Sequence, residues 1–231
     1  VFTYQKYQMH STSLIWQQIH SVFLDMDGTL LDLYFDNHFW REHLPAAYAQ
    51  QHQLPLLEAK EHLHQQFTAT QGTLSWYCVD YWTQQLNVDI MALKQEIAYL
   101  IALHPYVVEF LEELRRCGKR VVLVTNAHRK SLELKMQQIP LTAYFDHIIS
   151  SHEIGLPKES AEFWQQLQQV ERFHPATTLL IDDNLAVLRA AQSYGIVHLL
   201  AIFQPDSRAE RKDVAEFNAI HQFAEIMPCC Q

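Results

Sequence analysis

Residues 22–32 read Val22-Phe23-Leu24-Asp25-Met26-Asp27-Gly28-Thr29-Leu30-Leu31-Asp32. Three apolar residues open the stretch, and a short apolar run ending in a turn signal reads as a buried strand. Asp25 and Asp27 follow at alternate positions, which share one face if both remain in the strand. Carboxylates at the end of a buried strand cost folding free energy unless a partner or a chemical role accounts for them. Gly28 relaxes the backbone where the chain must turn.

Outward from this stretch the rhythm is first helical, then alternating. Apolar spacing predicts helices over 36–50, 56–70, 74–86 and 90–100, with breaks at Pro45, Leu54-Pro55, Gln71-Gly72 and Asn87. An all-helical insert of about 70 residues directly after a first strand reads as a small second domain. Beyond Pro105 strands are expected at 120–125, 147–150, 178–182 and 197–203, with helices at 107–117, 131–138, 158–170 and 184–194, and a tail helix at 213–227. Such alternation implies an α/β fold: a Rossmann-like, doubly wound parallel sheet with helices on both faces. The division expected is core over 1–32, an all-helical cap domain inserted after the first strand over 33–104, and core again over 105–231.

The chain has 231 residues, 48% of them hydrophobic and 19% charged, with a formal net charge of −9. An acidic surface argues against nucleic-acid or anionic-membrane partners. It leaves room for an anionic small molecule, because one bound cation inverts the local field. The four cysteines, Cys78, Cys117, Cys229 and Cys230, fit neither a zinc motif nor a disulfide framework, so a reducing, cytoplasmic setting is the default. No signal-peptide core and no membrane-length apolar run is present, and Met9 is a candidate natural start. The fourteen histidines are scattered and read mostly as solvated surface. The close pair His62 and His64 would point to different sides of a helix, a poor geometry for a metal.

In open parallel sheets ligands bind beyond the carboxyl ends of the strands. The first strand ends in Asp25 and Asp27, the second in Thr125-Asn126, and the fourth in Asp182-Asp183; the loop after the third carries Gly155-Leu156-Pro157-Lys158. Four carboxylates on one rim repel, each pair by roughly 4 kcal/mol at 4 Å and an effective dielectric of 20. Protonation or a bound cation relieves this. A donor set of hard oxygens suits Mg²⁺. Read singly, Thr125 is a strand-end residue, Lys158 a surface lysine, and Asp182-Asp183 an N-cap of the next helix.

The pattern D-x-D-G-T-L-x-D over 25–32, with Thr125, Lys158 and the Asp182-Asp183 pair in order, resembles the haloacid dehalogenase superfamily of phosphatases across most of residues 20–203. The resemblance implies a phosphomonoester hydrolase working through an aspartyl-phosphate on Asp25. Asp27 becomes the general acid and base, Thr125 and Asn126 ligands of the phosphoryl group, and Lys158 the neutraliser of charge. Asp25, the main-chain carbonyl of Asp27, and Asp183 become metal ligands, with Asp182 behind or in place of Asp183. One departure stands out: the family usually follows this lysine with proline, whereas here Pro157 precedes it and Glu159 follows.

The superfamily places a helical cap where this insert lies, and a cap reads the leaving group. The aromatic segments 35–41 and 74–82 suit either a cap core or the stacking of a planar base. Asp36, Asn37, Trp40, Trp76 and Asp80 are the candidate substrate contacts. The run DMDGTLLDLYFDNHFW, with WYCVDYW and GLPKE downstream, resembles the bacterial GMP/IMP 5′-nucleotidase branch, which implies a purine nucleoside 5′-monophosphate as substrate. Sugar-phosphate or phosphoglycolate phosphatases and phosphomutases are rivals on the same scaffold. A dehalogenase has no use for Asp27, and a non-catalytic phosphate-binding module has no use for the complete set. No protein partner is implied.

Overall fold

The computed structural model describes residues 14–228. Met9 and the vicinal pair Cys229-Cys230 lie outside the described residues. Six strands form one parallel sheet: β1 (Ser21–Leu24), β2 (Arg120–Thr125), β3 (His147–Ser150), β4 (Thr178–Ile181), β5 (His198–Ile202) and β6 (Ala219–Ile220), in the order β3-β2-β1-β4-β5-β6. The order reverses at β1, so a crevice opens at the carboxyl ends of β1 and its neighbours.

Parallel strands covered on both faces are apolar at every position, and β1 and β4 are buried throughout. Their side chains alternate between two cores. Val22, Leu24, Val121 and Leu123 pack with Phe110, Leu111 and Leu114 on one side. Phe23, Val122, Val124 and Leu180 pack with Phe163, Trp164 and Leu167 on the other.

Ten helices accompany the sheet among the described residues. Five form the insert: α1 (Tyr34–His38), α2 (Leu44–His52), α3 (Leu56–Thr70), α4 (Val79–Leu86) and α5 (Ile90–Glu96). The others are α6 (Val107–Arg116), α7 (Arg129–Gln138), α8 (Ser151–Ile154), α9 (Ala161–Val170) and α10 (Leu185–Tyr194). The two chains joining insert and sheet are stitched together: Leu31 bridges Leu103, Asp32 N–H donates to Ala102 O at 2.9 Å, and His104 N–H to Leu30 O at 2.9 Å. The loop after β5 braces this neck, since Pro205 O accepts from Leu33 N–H at 2.8 Å and Asp32 Oδ1 from Ser207 N–H at 3.0 Å.

Several expectations need correction. The tail does not form a helix; it contributes β6 and a short 3₁₀ turn, Phe223–Ile226. Its apolar residues recur every third position, which looks helical, but the open edge of β5 captures Ala219 and Ile220 in a parallel ladder. A ladder offered by a finished sheet outweighs weak local propensity. The helix expected over 74–86 is broken at Cys78, whose backbone is extended and whose Sγ accepts from Tyr81 N–H at 3.4 Å to start α4. Pro45 does not break its helix; it sits in the first turn of α2, where a missing N–H is harmless, just after a π-helical turn at Phe39–His43. Cys117 is disulfide-bonded, a link that the cysteine spacing does not predict. No helix among the described residues is long and apolar enough to cross a membrane.

Candidate active site

The carboxyl ends of β1, β2 and β4 surround a cleft of about 150 Å³ lined by Asp25, Asp27, Leu33, Tyr77, Thr125, Asn126, Ala127, Lys158, Asp182, Asp183, Asn184 and Val187. A roomier cavity of about 230 Å³ lies within the insert between Tyr48, Leu54, Glu58 and His62, with none of these groups near it.

Lys158 organises the floor. Its ammonium donates to Asp25 Oδ1 at 2.5 Å, Asp182 Oδ2 at 2.6 Å and Val124 O at 3.0 Å. All three donors are used, as burial at 2% exposure demands. Burial works against its charge, but Asp182 and Asp25 outweigh that and hold it firmly protonated. Its backbone is set by Asn126 Oδ1, which accepts Lys158 N–H at 3.0 Å, and by Trp164 Nε1, which donates to Lys158 O at 3.0 Å.

Asp25, Asp182 and Asp183 each bring an oxygen to within 4.8 Å of the others. Burial raises Asp25 to about 7, opposed by Lys158 and reinforced by Asp182 and Asp27. Burial and the charge of Asp25 raise Asp183 to about 7. Burial lifts Asp182 to about 6 although Lys158 pulls it down. Asp182 is already engaged, by Lys158 and by Asn184 N–H at 2.9 Å on Oδ1. Asp183 is freer: among the described residues its carboxylate has one ion-pair partner, Lys212 Nζ at 3.7 Å. Gly28, at φ +83°, makes room: a Cβ there would meet Asp183 Cγ at 2.8 Å. Three hard-oxygen carboxylates facing one buried ammonium form a donor set that fits a divalent cation.

Asp27 faces the insert. Its Oδ1 accepts from Lys135 Nζ of α7 at 2.6 Å, and the same ammonium donates to Asp36 Oδ2 of α1 at 2.6 Å. Lys94 of α5 donates to Asp36 Oδ1 at 2.8 Å and lies 4.5 Å from the centre of the Phe39 ring. Burial raises Asp27, against the pull of Lys135 and with the push of Asp36. Burial would also raise Asp36, but Lys135 and Lys94 hold it well below the usual carboxylate range. Thr125 is buried, and its Oγ1 accepts from Ala127 N–H at 3.0 Å, which fixes the turn after β2.

Of the candidate substrate contacts in the insert, none lines the cleft. Asp36 is taken by the two lysines, and Asn37 donates to Asp206 Oδ2 at 2.7 Å. Trp40 and Trp76 pack with Phe67 and Trp82 inside the insert, with ring centres 5.0–6.5 Å apart. Asp80 is exposed and pairs with Lys130 Nζ at 2.6 Å. The insert instead sends Leu33 and Tyr77 to the cleft.

Sequence reasoning missed Lys94, Lys135, Tyr77 and Glu159. Glu159 accepts from Tyr77 Oη at 2.5 Å, Asn126 Nδ2 at 2.9 Å and Asn184 Nδ2 at 3.0 Å, joining the insert to the loops after β2 and β4. The substitution of glutamate for the usual proline after Lys158 was the available signal. Lys94 and Lys135 carried none, because a lysine within a helix gives no sign of burial.

The pattern defining the haloacid dehalogenase-like hydrolases matches residues 19–195. The chain is 37% identical over 216 residues to the GMP/IMP nucleotidase YrfG of Escherichia coli (strain K12), an alignment covering 94% of this chain and 97% of that one. It is 20% identical over 220 residues to the pyrophosphatase PpaX of Bacillus mycoides (strain KBAB4), covering 91% of this chain and 96% of that relative. The fold superimposes on a HAD phosphatase from Thermococcus onnurineus with a TM-score of 0.74 at 18% identity, over 90% of this chain and 95% of that one. A putative β-phosphoglucomutase from Thermotoga maritima gives 0.64 at 19%, over 90% and 97%. With the family pattern spanning β1 to β4, the cleft they form and the whole helical insert, this chain belongs to the haloacid dehalogenase-like hydrolases.

Proposed function

We propose that the chain is a Mg²⁺-dependent phosphatase that hydrolyses purine nucleoside 5′-monophosphates, GMP and IMP foremost, through a phosphorylated Asp25. The observation that carries the chemistry is the meeting of Asp25, Asp27, Thr125, Lys158, Asp182 and Asp183 in one small cleft. The substrate class rests on the 37% identity to a GMP/IMP nucleotidase over nearly the full length of both chains.

An Asp25 oxygen attacks phosphorus while the ester P–O bond breaks, and the departing alkoxide takes the proton held by Asp27. Asp27 then withdraws a proton from water as that water attacks the aspartyl-phosphate, releasing phosphate and restoring Asp25. Lys158 keeps Asp25 oriented and offsets phosphoryl charge, and the N–H groups after Thr125 offer donors to the equatorial oxygens. Asp25 and Asp183 would hold the Mg²⁺, which supplies charge neutralisation for the phosphoryl group. Asp182, tied to Lys158, supports them.

Residues 33–104 act as the cap. At about 150 Å³ the cleft accepts a phosphoryl group, but drug-sized ligands fill roughly 300–1,000 Å³. A nucleotide therefore enters with the insert lifted from the sheet. The partners are small phosphomonoesters. We place the reaction in the cytoplasm on the free thiol of Cys78; the disulfide at Cys117 weighs the other way.

Phosphate release from a panel of monophosphates tests the reading. GMP and IMP should exceed pyrimidine nucleotides, sugar phosphates and phosphoglycolate by at least about tenfold in kcat/KM, a difference of about 1.4 kcal/mol in transition-state binding. A flat panel removes the nucleotidase specificity, and no Mg²⁺-dependent release from any member removes the phosphatase.

A further inference from the structure

Cys78, His128 and His152 come from three distant parts of the chain and meet at one point. Each offers a ligand atom, and these atoms lie within 4.8 Å of one another. Cys78 starts α4 in the insert, His128 precedes α7 after β2, and His152 lies in α8 after β3. The two imidazoles meet edge to face, with centroids 4.9 Å apart at 83°.

Each group is set up as a donor. Among the described residues His152 Nε2 is buried and meets no hydrogen-bond partner of good geometry, with main-chain groups of Tyr77 and Asn126 close to the ring, so the desolvation of a polar atom is poorly compensated. His128 Nδ1 lies 3.4 Å from Lys130 N–H and its Nε2 3.8 Å from Asp80 Oδ2; ligation through Nε2 puts the ring proton on Nδ1 and gives up the long Lys130 contact. Cys78 Sγ accepts the N–H of Tyr81 at 3.4 Å and stays a free thiol sulfur beside the two rings. Lys130 engages the other oxygen of Asp80, so Oδ2 faces the cluster.

We infer that Cys78, His128 and His152, with Asp80 as the fourth ligand, form a site for a borderline divalent cation of the zinc class, separate from the carboxylate site and spanning the seam between insert and sheet. One sulfur and two imidazole nitrogens select zinc-like ions, whereas the all-oxygen cleft selects magnesium-like ones. Zinc bond lengths of 2.0–2.3 Å put tetrahedral ligand atoms roughly 3.3–3.7 Å apart. Cys78, His128 and His152, already within 4.8 Å of one another, therefore close by at most about 1.5 Å on loading, and Asp80 joins from beside His128 by side-chain rotation. The consequence is mechanical. Tyr77 and Ala127, the neighbours of Cys78 and His128, both line the catalytic cleft. A cation held here pins the insert to the loop after β2 and holds the cleft in its closed form.

Cobalt(II) is the probe, because thiolate ligation gives a charge-transfer band that oxygen ligands cannot. Metal-free, reduced full-length protein titrated with Co²⁺ in excess Mg²⁺ should develop that band, with tetrahedral d–d absorption, saturating at one equivalent. Zn²⁺ should displace it. The Asp25→Asn protein should keep it, since the carboxylate cleft contributes no sulfur. Cys78→Ser should lose it, and His152→Ala should bind at least roughly tenfold more weakly, both with unchanged circular dichroism. Absence of a thiolate band in the unsubstituted protein overturns the inference whatever the variants do, and so does a band that survives Cys78→Ser. The readout is spectroscopic, so it stands apart from whether GMP or IMP is hydrolysed.

Discussion

Two clusters of buried charge meet at the first strand, and they are balanced differently. On the sheet side Asp25, Asp182 and Asp183 face one buried ammonium, Lys158. On the insert side Asp27 and Asp36 face two, Lys135 and Lys94. The first is short of positive charge, and its carboxylates are pushed up to about 6 or 7. The second is neutral as a group, and Asp36 is held well below its usual range by the lysines despite its burial. A deficit of charge invites a cation or protons. A balanced quartet fixes geometry, since removing one member strands another in a low dielectric. Asp27 is held by the balanced group and also lines the cleft of the deficient one, which is the placement a proton carrier needs.

The severest test of the deficient cluster is Asp25→Asn. The amide fills the same space without the nucleophilic charge, and one carboxylate fewer relieves repulsion. Turnover of GMP should fall by at least about 10³-fold while the melting temperature of the metal-free protein holds or rises. Activity within tenfold of the parent would mean that another group attacks phosphorus.

Lys135→Met tests the balanced cluster. Without the ammonium, Asp27 keeps its proton to higher pH, because Lys135 opposes protonation and Asp36 favours it. The alkaline limb of kcat/KM should move upward, and the rate at neutral pH should drop by about ten- to a hundredfold, within the range that general acid–base catalysis supplies. Lys135→Arg should restore the position of the limb. A rate loss with an unmoved limb would make Lys135 structural only.

The contrast also explains what the sequence could disclose. The deficient cluster was legible because its carboxylates end strands: Asp25 and the Asp182-Asp183 pair each follow an apolar run, and that position is where a doubly wound sheet places its site. The balanced cluster was not. Lys94 lies between Leu93 and Gln95 and Lys135 between Leu134 and Met136, which does not fix the side each lysine faces, and only the approach of α5 and α7 to α1 reveals that both are buried. Period-2 and period-3.6 patterns report which face is apolar, not which charged residue will be covered by another element. Hence the aromatic stretch of the insert was read as an open choice between core and ligand platform, and the structure packs Trp40, Trp76 and Trp82 on one another. The tail failed for a related reason, since an edge strand's capture of Ala219 and Ile220 is non-local.

The smallest effect expected is a thermal one, and it follows from the sign of the charge deficit. In the metal-free protein burial lets Asp25 and Asp183 hold protons up to about 7 and Asp182 up to about 6, well above the ordinary carboxylate range near 4. Between about pH 4 and pH 7 the folded state thus binds protons that the unfolded chain has released. Stability then falls as pH rises through that window and levels off above it. A divalent cation competes with those protons, so its stabilisation must grow over the same range. At a hundredfold excess over its Kd a ligand adds about 2.7 kcal/mol, or about 5–10 °C in a chain of this size. The rise in Tm on adding a fixed concentration of Mg²⁺ should therefore approach this figure at pH 8 and shrink to almost nothing at pH 5. In Lys135→Met the same trend should persist, because the balanced cluster holds none of these three groups. An increment equal at both pH values would mean that the cation binds without displacing protons, and the deficient cluster would not be its site.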